Sequence, residues 1–364
     1  MSETDFRHDR HAVDKRPTLA AVAALAGVSV STASLAFSGS GPVSPQTRDR
    51  VLAAAEELQY AGPDPRARSL RQGRSGIIAV VLEETVLQAF RDPVKIAFLD
   101  GIAQEIAGSG RALLLVPDVS DELSGGPSAL ETATMDAVVL LGCSPFVARS
   151  ITITRRRSIP IVALGSTPFP DVLAVTLDDR PATVTLARHL QSLGHREVAV
   201  VALPLESSRE RGPLTAEWES RATISTTIDR LAGAREVFPE LAAVITAGSL
   251  VDEGLLAGRS LLSRAANERP TAIIAQSDLL AAGVIRAAQE LGLQVPGDVS
   301  VVGFDGIRLD NVISHDLTTM VQPAAEQGGT AGRMVLEMLD GGHPAAARFT
   351  SAFHLGDTTA PPAP

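Results

Sequence analysis

Between residues 18 and 58 apolar positions recur at helical spacing, and residues that start and stop helices punctuate them. Leu19, Val22, Ala23, Leu25 and Ala26 predict a short helix stopped by Gly27. Ser29 predicts the cap of a second helix over 30–37. Ser44, with Pro45 at the first helical position, predicts a third whose apolar stripe is Val51, Leu52, Ala55 and Leu58. Asp64, between Pro63 and Pro65, predicts one more short helix over 66–71, ended by Gly73. Beyond Gly76 the pattern changes to short continuous apolar runs alternating with amphipathic stretches, as parallel strands joined by helices require. Runs at 77–82, 112–116, 137–141, 160–164, 198–202, 242–246, 272–275 and 300–304 predict strands. The stretches 94–107, 181–193, 253–266 and 279–291 predict helices. Roughly a hundred residues on each side of Thr176 suffice for two open α/β sheets, with a ligand crevice at the carboxyl ends of their strands.

The pattern therefore predicts a tail at 1–16, a small all-α domain at 17–62, a linker at 63–76 and an α/β region at 77–352. That region divides into 77–175 and 176–352 with crossovers, and a second tail follows at 353–364. The length of 364 residues fits two or three domains. With 45% hydrophobic and 20% charged residues the bulk is folded, and only 3% aromatics disfavours a stacking platform for single-stranded nucleic acid. The net charge of −10 argues against a nucleic-acid partner, but the segment 15–76 carries +4, so the acidity lies elsewhere. A single cysteine, Cys143, in the apolar run 137–143, reads as a buried small hydrophobe in a reducing compartment. The charged start has no apolar signal region, and no run approaches the roughly 18 residues of a membrane span, so the expectation is a cytoplasmic protein without a membrane partner.

Helix, tight turn and helix, with small Ala23 and Gly27 at the crossing, fit helix-turn-helix chemistry; a bundle that merely packs fits the spacing too. Catalytic signatures such as G-x-S-x-G, a Walker loop or G-x-G-x-x-G do not occur, nor does a metal-type Cys/His cluster. His8 and His11 lie in the polar tail, and His195 precedes a strand, where a structural role is expected. No enzyme, cofactor or metal is therefore expected.

Several segments carry a resemblance. Thr18-Leu19 through Gly27-Val28-Ser29-Val30-Ser31-Thr32-Ala33-Ser34, then Gly41-Pro-Val-Ser44-Pro-Gln-Thr-Arg48, then Ala67-Arg68-Ser69-Leu70-Arg71, are similar to the DNA-binding segment of the LacI/GalR (lactose-repressor/galactose-repressor) regulators. Leu193-Gly194-His195-Arg196, Arg230-Leu-Ala-Gly233, Arg269-Pro-Thr-Ala-Ile273, Val299 through Asp305, Leu317-Thr-Thr319 and Gln322-Pro323 resemble the ligand-binding half of that family, in the same order. The resemblance implies a helix-turn-helix domain plus a periplasmic-binding-protein-like α/β domain of two parallel-sheet subdomains. It implies a repressor that binds double-stranded DNA at a near-palindromic operator as a homodimer, under the control of a sugar or related polar metabolite.

By that resemblance Val30, Ser31 and Leu35 face base edges, and Ser29, Thr32 and Ser34 face phosphates. Arg66, Arg68 and Arg71 belong to a hinge helix that meets the minor groove, with Leu70 as its wedge; a merely solvated linker is the other reading of these arginines. The chain departs from the family pattern at Leu35, where a long polar or basic side chain is usual, and at Ala33, where a β-branched residue is usual. Leu35 can touch a thymine methyl but cannot donate to guanine, and an inward-facing leucine is the alternative. In the ligand half the matching positions nominate Arg230 as a planar donor fork and Asp305 as an acceptor for hydroxyls, and Glu84, Lys95 and Ser277 are further candidate effector residues. A surface arginine and a strand-end aspartate are the bland readings of Arg230 and Asp305. Asp92-Pro93-Val94-Lys95 stands where an aromatic pair is common, preceded by extra residues that include Phe90 and Arg91. Ser277 replaces an asparagine, and Gly165 an acidic residue. These departures predict an unusual effector with negative charge for Lys95 or Arg91 to meet. An insertion within 204–230, with Trp218, Arg209, Arg211 and Arg221, has three readings: a cover for the cleft, part of a dimer interface, or a loose loop. A ligand-binding protein or an enzyme on the same fold, with no role on DNA, is the competing class.

Overall fold

The computed structural model describes residues 17–38, 41–63, 69, 73–83, 85–117, 128–142, 146–165, 171–206, 208–309 and 312–363. The tail 1–16 and residues Arg66, Arg68, Leu70, Arg71, Glu84 and Cys143 lie outside the described residues. The chain divides into two compact units, 1–75 and 76–364.

In the first unit, α1 (Leu19–Leu25) starts where the Thr18 hydroxyl accepts the Ala21 N–H at 3.2 Å. It ends at Gly27, whose φ of +64° suits a residue without a β-carbon. Ser29 caps α2 (Val30–Ser38), accepting the Thr32 N–H at 3.1 Å. Ser44 does the same for α3 (Pro45–Glu57) through Thr47 N at 3.2 Å. The axes of α1 and α2 turn through 103°, within the range of helix-turn-helix pairs. Small residues allow the close crossing: Ala23, Ala26, Ala33, Ala36, Ala54 and Ala55 are buried with Val22 and Val51, and the Phe37 ring meets Tyr60 edge-on at 5.6 Å.

The second unit holds two sheets. Strands β1 (Ile77–Leu82), β2 (Ala112–Pro117), β3 (Ala137–Leu141), β4 (Ile161–Leu164) and β5 (Leu173–Leu177) form the first lobe with α4 (Val86–Ala89), α5 (Pro93–Ala107), α6 (Ala129–Thr132) and α7 (Phe146–Arg156). The second lobe has β6 (Val198–Ala202), β7 (Gly212–Pro213), β8 (Ala242–Ile245), β9 (Ala272–Ala275), β10 (Ser300–Asp305) and β11 (Thr318–Val321). Its helices are α8 (Asp179–Ser192), α9 (Ala216–Ser220), α10 (Ser225–Arg235), α11 (Val251–Leu262) and α12 (Asp278–Glu290). The chain then returns: α13 (Ala324–Leu339) packs on α5, and β12 (Ala347–Phe349) joins the first sheet before β13 (Ala352–His354) rejoins the second. The strand orders are β12-β5-β4-β3-β1-β2 and β13-β11-β10-β9-β6-β8-β7, parallel throughout except for edge strands β7 and β13.

Both faces of both sheets are covered by apolar cores. Parallel strands buried on two sides read as unbroken apolar runs, which is why the main strands match their sequence pattern. Ile307 packs against cores of both lobes. Glycine brings α5 and α13 together: a β-carbon at Gly101 would overlap the Ala325 carbonyl oxygen, and one at Gly328 the Phe98 carbonyl oxygen.

Two expectations need correction. The division at Thr176 falls inside β5, because that strand completes the first sheet. The segment from 353 is no tail: the Thr358 hydroxyl, fully buried, donates to Val301 O at 2.7 Å and accepts from Thr318 N at 3.0 Å. His195, buried ahead of β6, lies 2.9 Å from the Ala360 carbonyl oxygen and 3.1 Å from Ser300 Oγ, pinning the same segment. Burial pushes the His195 imidazole below its usual value, so the contact is made by the neutral ring. Among the described residues no single helix is long and apolar enough to cross a membrane.

Candidate functional site

Two places collect the residues singled out in the sequence. On the first unit, α2 turns Val30, Ser31 and Leu35 outward, with Val30 49% and Leu35 38% exposed. Ser29 is exposed at the cap, Thr32 and Ser34 are half-buried, and Ala33 is fully buried against α1 and α3. The inward-facing alternative for Leu35 does not hold; its side chain leans toward the α2–α3 loop. A β-carbon on Gly41 would lie 3.1 Å from Leu35 Cδ2, so glycine there makes room for it. The Ser29 hydroxyl lies 2.8 Å from both the Ser31 and the Thr32 hydroxyls, a local network at the start of the helix.

In the second unit the carboxyl ends of strands from both lobes enclose a cavity of about 480 Å³. Lys95, Arg230, Ser277 and Asp305 line it together. Arg230, projecting from α10, is 4% exposed. Its Nε donates to Asp179 Oδ1 at 2.8 Å, its Nη1 donates to the Gln276 carbonyl oxygen and lies 3.7 Å from Asp305 Oδ1, and its guanidinium covers the Phe304 ring at 3.5 Å. A buried guanidinium needs that many partners, because taking the charge out of water costs several kcal/mol. Asp305, at the end of β10, has a φ of +129°, a region that ordinary residues avoid, and Gln322 Nε2 donates to its Oδ1 at 2.7 Å. Burial raises the Asp305 carboxyl well above its usual range, helped by negative Asp278 and Asp92 and opposed by Arg230 and Gln322.

Behind Asp305 sits Asp278, which the sequence reading did not single out. Its Oδ1 accepts the Thr319 hydroxyl at 2.6 Å, and its Oδ2 accepts Gly306 N at 2.7 Å and Ile307 N at 2.9 Å. Complete burial lifts its pKa to about 6 against the pull of those three donors and of Arg230. A β-carbon on Gly303 would overlap its Oδ1, so β10 can pass there only as glycine. The signal for Asp278 was available: it is an acidic residue directly before the apolar run 279–285 of its helix. Ser277 lines the cavity but works as a cap, accepting from Leu280 N at 3.2 Å and from the Ser249 hydroxyl at 2.9 Å.

The insertion forms the rim of this cavity. β7 pairs with β8, Trp218 packs on the second lobe's core, and Glu206, Arg209 and Arg211 line the cavity. Arg211 pairs with Glu253 at 3.1 Å, and Glu253 also accepts Ala247 N at 2.8 Å. Among the described lining residues Glu83, Asp92, Asp179, Glu206, Glu253 and Asp305 face Lys95, Arg209, Arg211 and Arg230. Acids outnumber bases in this lining, and Arg91 is exposed and lies outside it. Phe98 is the one aromatic ring among the described lining residues. What remains is apolar walls from Val94, Leu141, Leu164, Leu203 and Leu250 around convergent donors and acceptors.

Residues 18–62 match the model of bacterial regulatory proteins of the lacI family, and 187–359 that of a periplasmic binding protein-like domain. The chain is 33% identical over 361 residues to an HTH-type transcriptional regulator of Mycobacterium tuberculosis, covering 96% of this chain and 98% of that one. A solved complex of the transcriptional regulator CelR with cellobiose is similar at 25% identity and a TM-score of 0.65, over 94% of this chain and 100% of that one. The lac repressor dimer bound to operator and the anti-inducer ONPF shares the fold, with a TM-score of 0.76 at 23% identity over 95% and 100%.

Proposed function

Because the chain belongs to the lacI family of bacterial regulatory proteins, we propose that it is a dimeric repressor of transcription whose grip on DNA is set by an uncharged, hydroxyl-rich metabolite in the cleft. The observation that carries this reading is the pairing, in one chain, of an outward-facing α2 with an apolar-walled cleft built around Arg230 and Asp305. Arg230 donates from a fixed plane, and Asp305, Asp179 and Glu253 accept, a set suited to sugar hydroxyls on apolar walls. Ser29, Thr32 and Ser34 sit beside phosphates in this reading, and Arg66, Arg68, Leu70 and Arg71 supply the minor-groove contacts of a hinge. The protein works by binding in the cytoplasm and not by catalysis.

Ligand in the cleft acts on both lobes, and any coupling to DNA is reciprocal: a metabolite that weakens operator binding is itself weakened by operator. Selection of duplexes from a randomised pool, followed by a sugar screen on the recovered site, tests the reading. The expected result is a two-fold symmetric site whose affinity one class of neutral sugar changes. A cleft ligand with no effect on the recovered duplex would defeat it.

A further inference from the structure

We infer that the chain reads each DNA half-site through thymine methyl groups, met by Val30 and Leu35, and not through paired hydrogen bonds to base edges. The inference rests on the regulator reading above and names the base chemistry it uses. Helix α2, VSTASLAFS, contains no arginine, lysine, asparagine, glutamine, aspartate or glutamate. Every side chain that makes a two-point contact to guanine or adenine, or accepts from cytosine, is therefore missing from it. Its hydroxyls carry little information, since a hydroxyl donates or accepts as the base requires. The Ser31 hydroxyl is already 2.8 Å from Ser29 Oγ, and that of Ser38 donates to the Leu35 carbonyl at 3.1 Å.

The apolar pair is what remains. At about 100° per residue, Val30 and Leu35 bound an exposed face about 140° wide, with Ser31, Ser34 and Ser38 between them. At 1.5 Å per residue they stand about 7.5 Å apart along the axis, roughly two base steps. In the major groove the thymine methyl is the one apolar group that a base pair presents. Set over a guanine or cytosine edge, the same side chains would cover polar atoms and leave them without partners, so the face selects for thymine and against G·C together. Gly41 in the α2–α3 loop lies against Leu35 on one side. Exposed Arg48 and Arg50 on α3 belong to the basic segment that supplies attraction without sequence preference.

The test uses the full chain and a duplex recovered from a randomised pool, selected with and without a pool of cell metabolites at fixed salt. Each thymine is then replaced in turn by uracil, which removes the methyl alone. Two sensitive thymines per half-site, about two steps apart, are expected. Each replacement should weaken binding about fourfold, and about fifteenfold when made in both half-sites. Leu35→Ala should abolish the thymine-over-uracil preference at one position and Val30→Ala at the other, while Leu35→Arg should move the preference at its position to guanine. The uracil series on the unaltered protein stands even if a variant misfolds. A recovered site indifferent to uracil, or one with G·C pairs at the positions that Leu35→Ala disturbs, overturns this inference and leaves the regulator reading in place. Enrichment of no sequence by the folded chain in either selection overturns both.

Discussion

The face of α2 and the cleft of the second unit are opposite solutions to recognition. The face is exposed and uncharged, made of hydroxyls and two aliphatic side chains. The cleft is recessed and dense in charge, and its charges are spent on one another: Arg230 on Asp179 and Asp305, Arg211 on Glu253. An exposed face can lose a side chain cheaply, because water replaces what is lost. A buried pair cannot, because the survivor is stranded in a medium that does not solvate it. Sensitivity to mutation should therefore be high in the second unit for stability, and in the first for recognition alone.

The largest effect expected is separation of the two functions. A chain lacking 1–76 should lose all affinity for the selected duplex while its cooperative urea transition and its cleft ligand survive; loss of the transition would show that the units are not independent. Next comes Arg230→Ala, which strands Asp179 and Asp305 and should cost about 3–5 kcal/mol in urea unfolding. A cost below about 1 kcal/mol would mean that the guanidinium is solvated after all.

A pH effect follows from Asp278. Its folded pKa of about 6 exceeds the ordinary carboxyl value of 3.8, so the folded state holds the proton more tightly than the unfolded one. Stability from this group is then greatest at low pH, falls as pH rises from about 4 to about 6, and is flat above. Asp278→Asn, which cannot titrate, should remove that part of the decline when unfolding is followed across the range. Asp305 is shifted the same way, in part by the Asp278 charge, so its own share of the decline should also shrink in the variant. Smaller still, Ser44→Ala removes the α3 cap and should lower the stability of the helical unit by about 1 kcal/mol. Arg211→Ala breaks a pair whose arginine is half-exposed, and should change stability by less than about 1 kcal/mol.

Much of this was legible in the sequence, for reasons that differ by element. Ser29 and Ser44 are caps whose partners lie within three residues, so local pattern sufficed. The strands β1, β3 and β6 are buried on both faces and announce themselves as apolar runs. Helix α13 was missed because Gly328, Gly329 and Gly332 lower its helix propensity, and the gain they bring, contact with α5, comes from residues more than 200 positions away. β12 and β13 are three-residue edge strands whose pairing is entirely long-range. In the cleft, Arg230 and Asp305 were found through motifs. Asp179, Gln276 and Gln322 were not assigned to it, since only the folded chain brings their donors and acceptors to Arg230 and Asp305.

The return of α13 and β12 to the first lobe bears on biosynthesis. A ribosome delivers the helical unit first, and its short-range contacts can form at once. The first lobe follows, yet it must wait for α13 to cover α5 and for β12 to close the sheet beside β5 until the whole second lobe has emerged. At 5–20 residues per second that delay is roughly ten to thirty seconds. For that interval the side of α5 that carries Gly101 and the open edge of β5 are unprotected in the nascent chain. Folding assistance during synthesis should therefore matter most to the lobe that is made early and finished late.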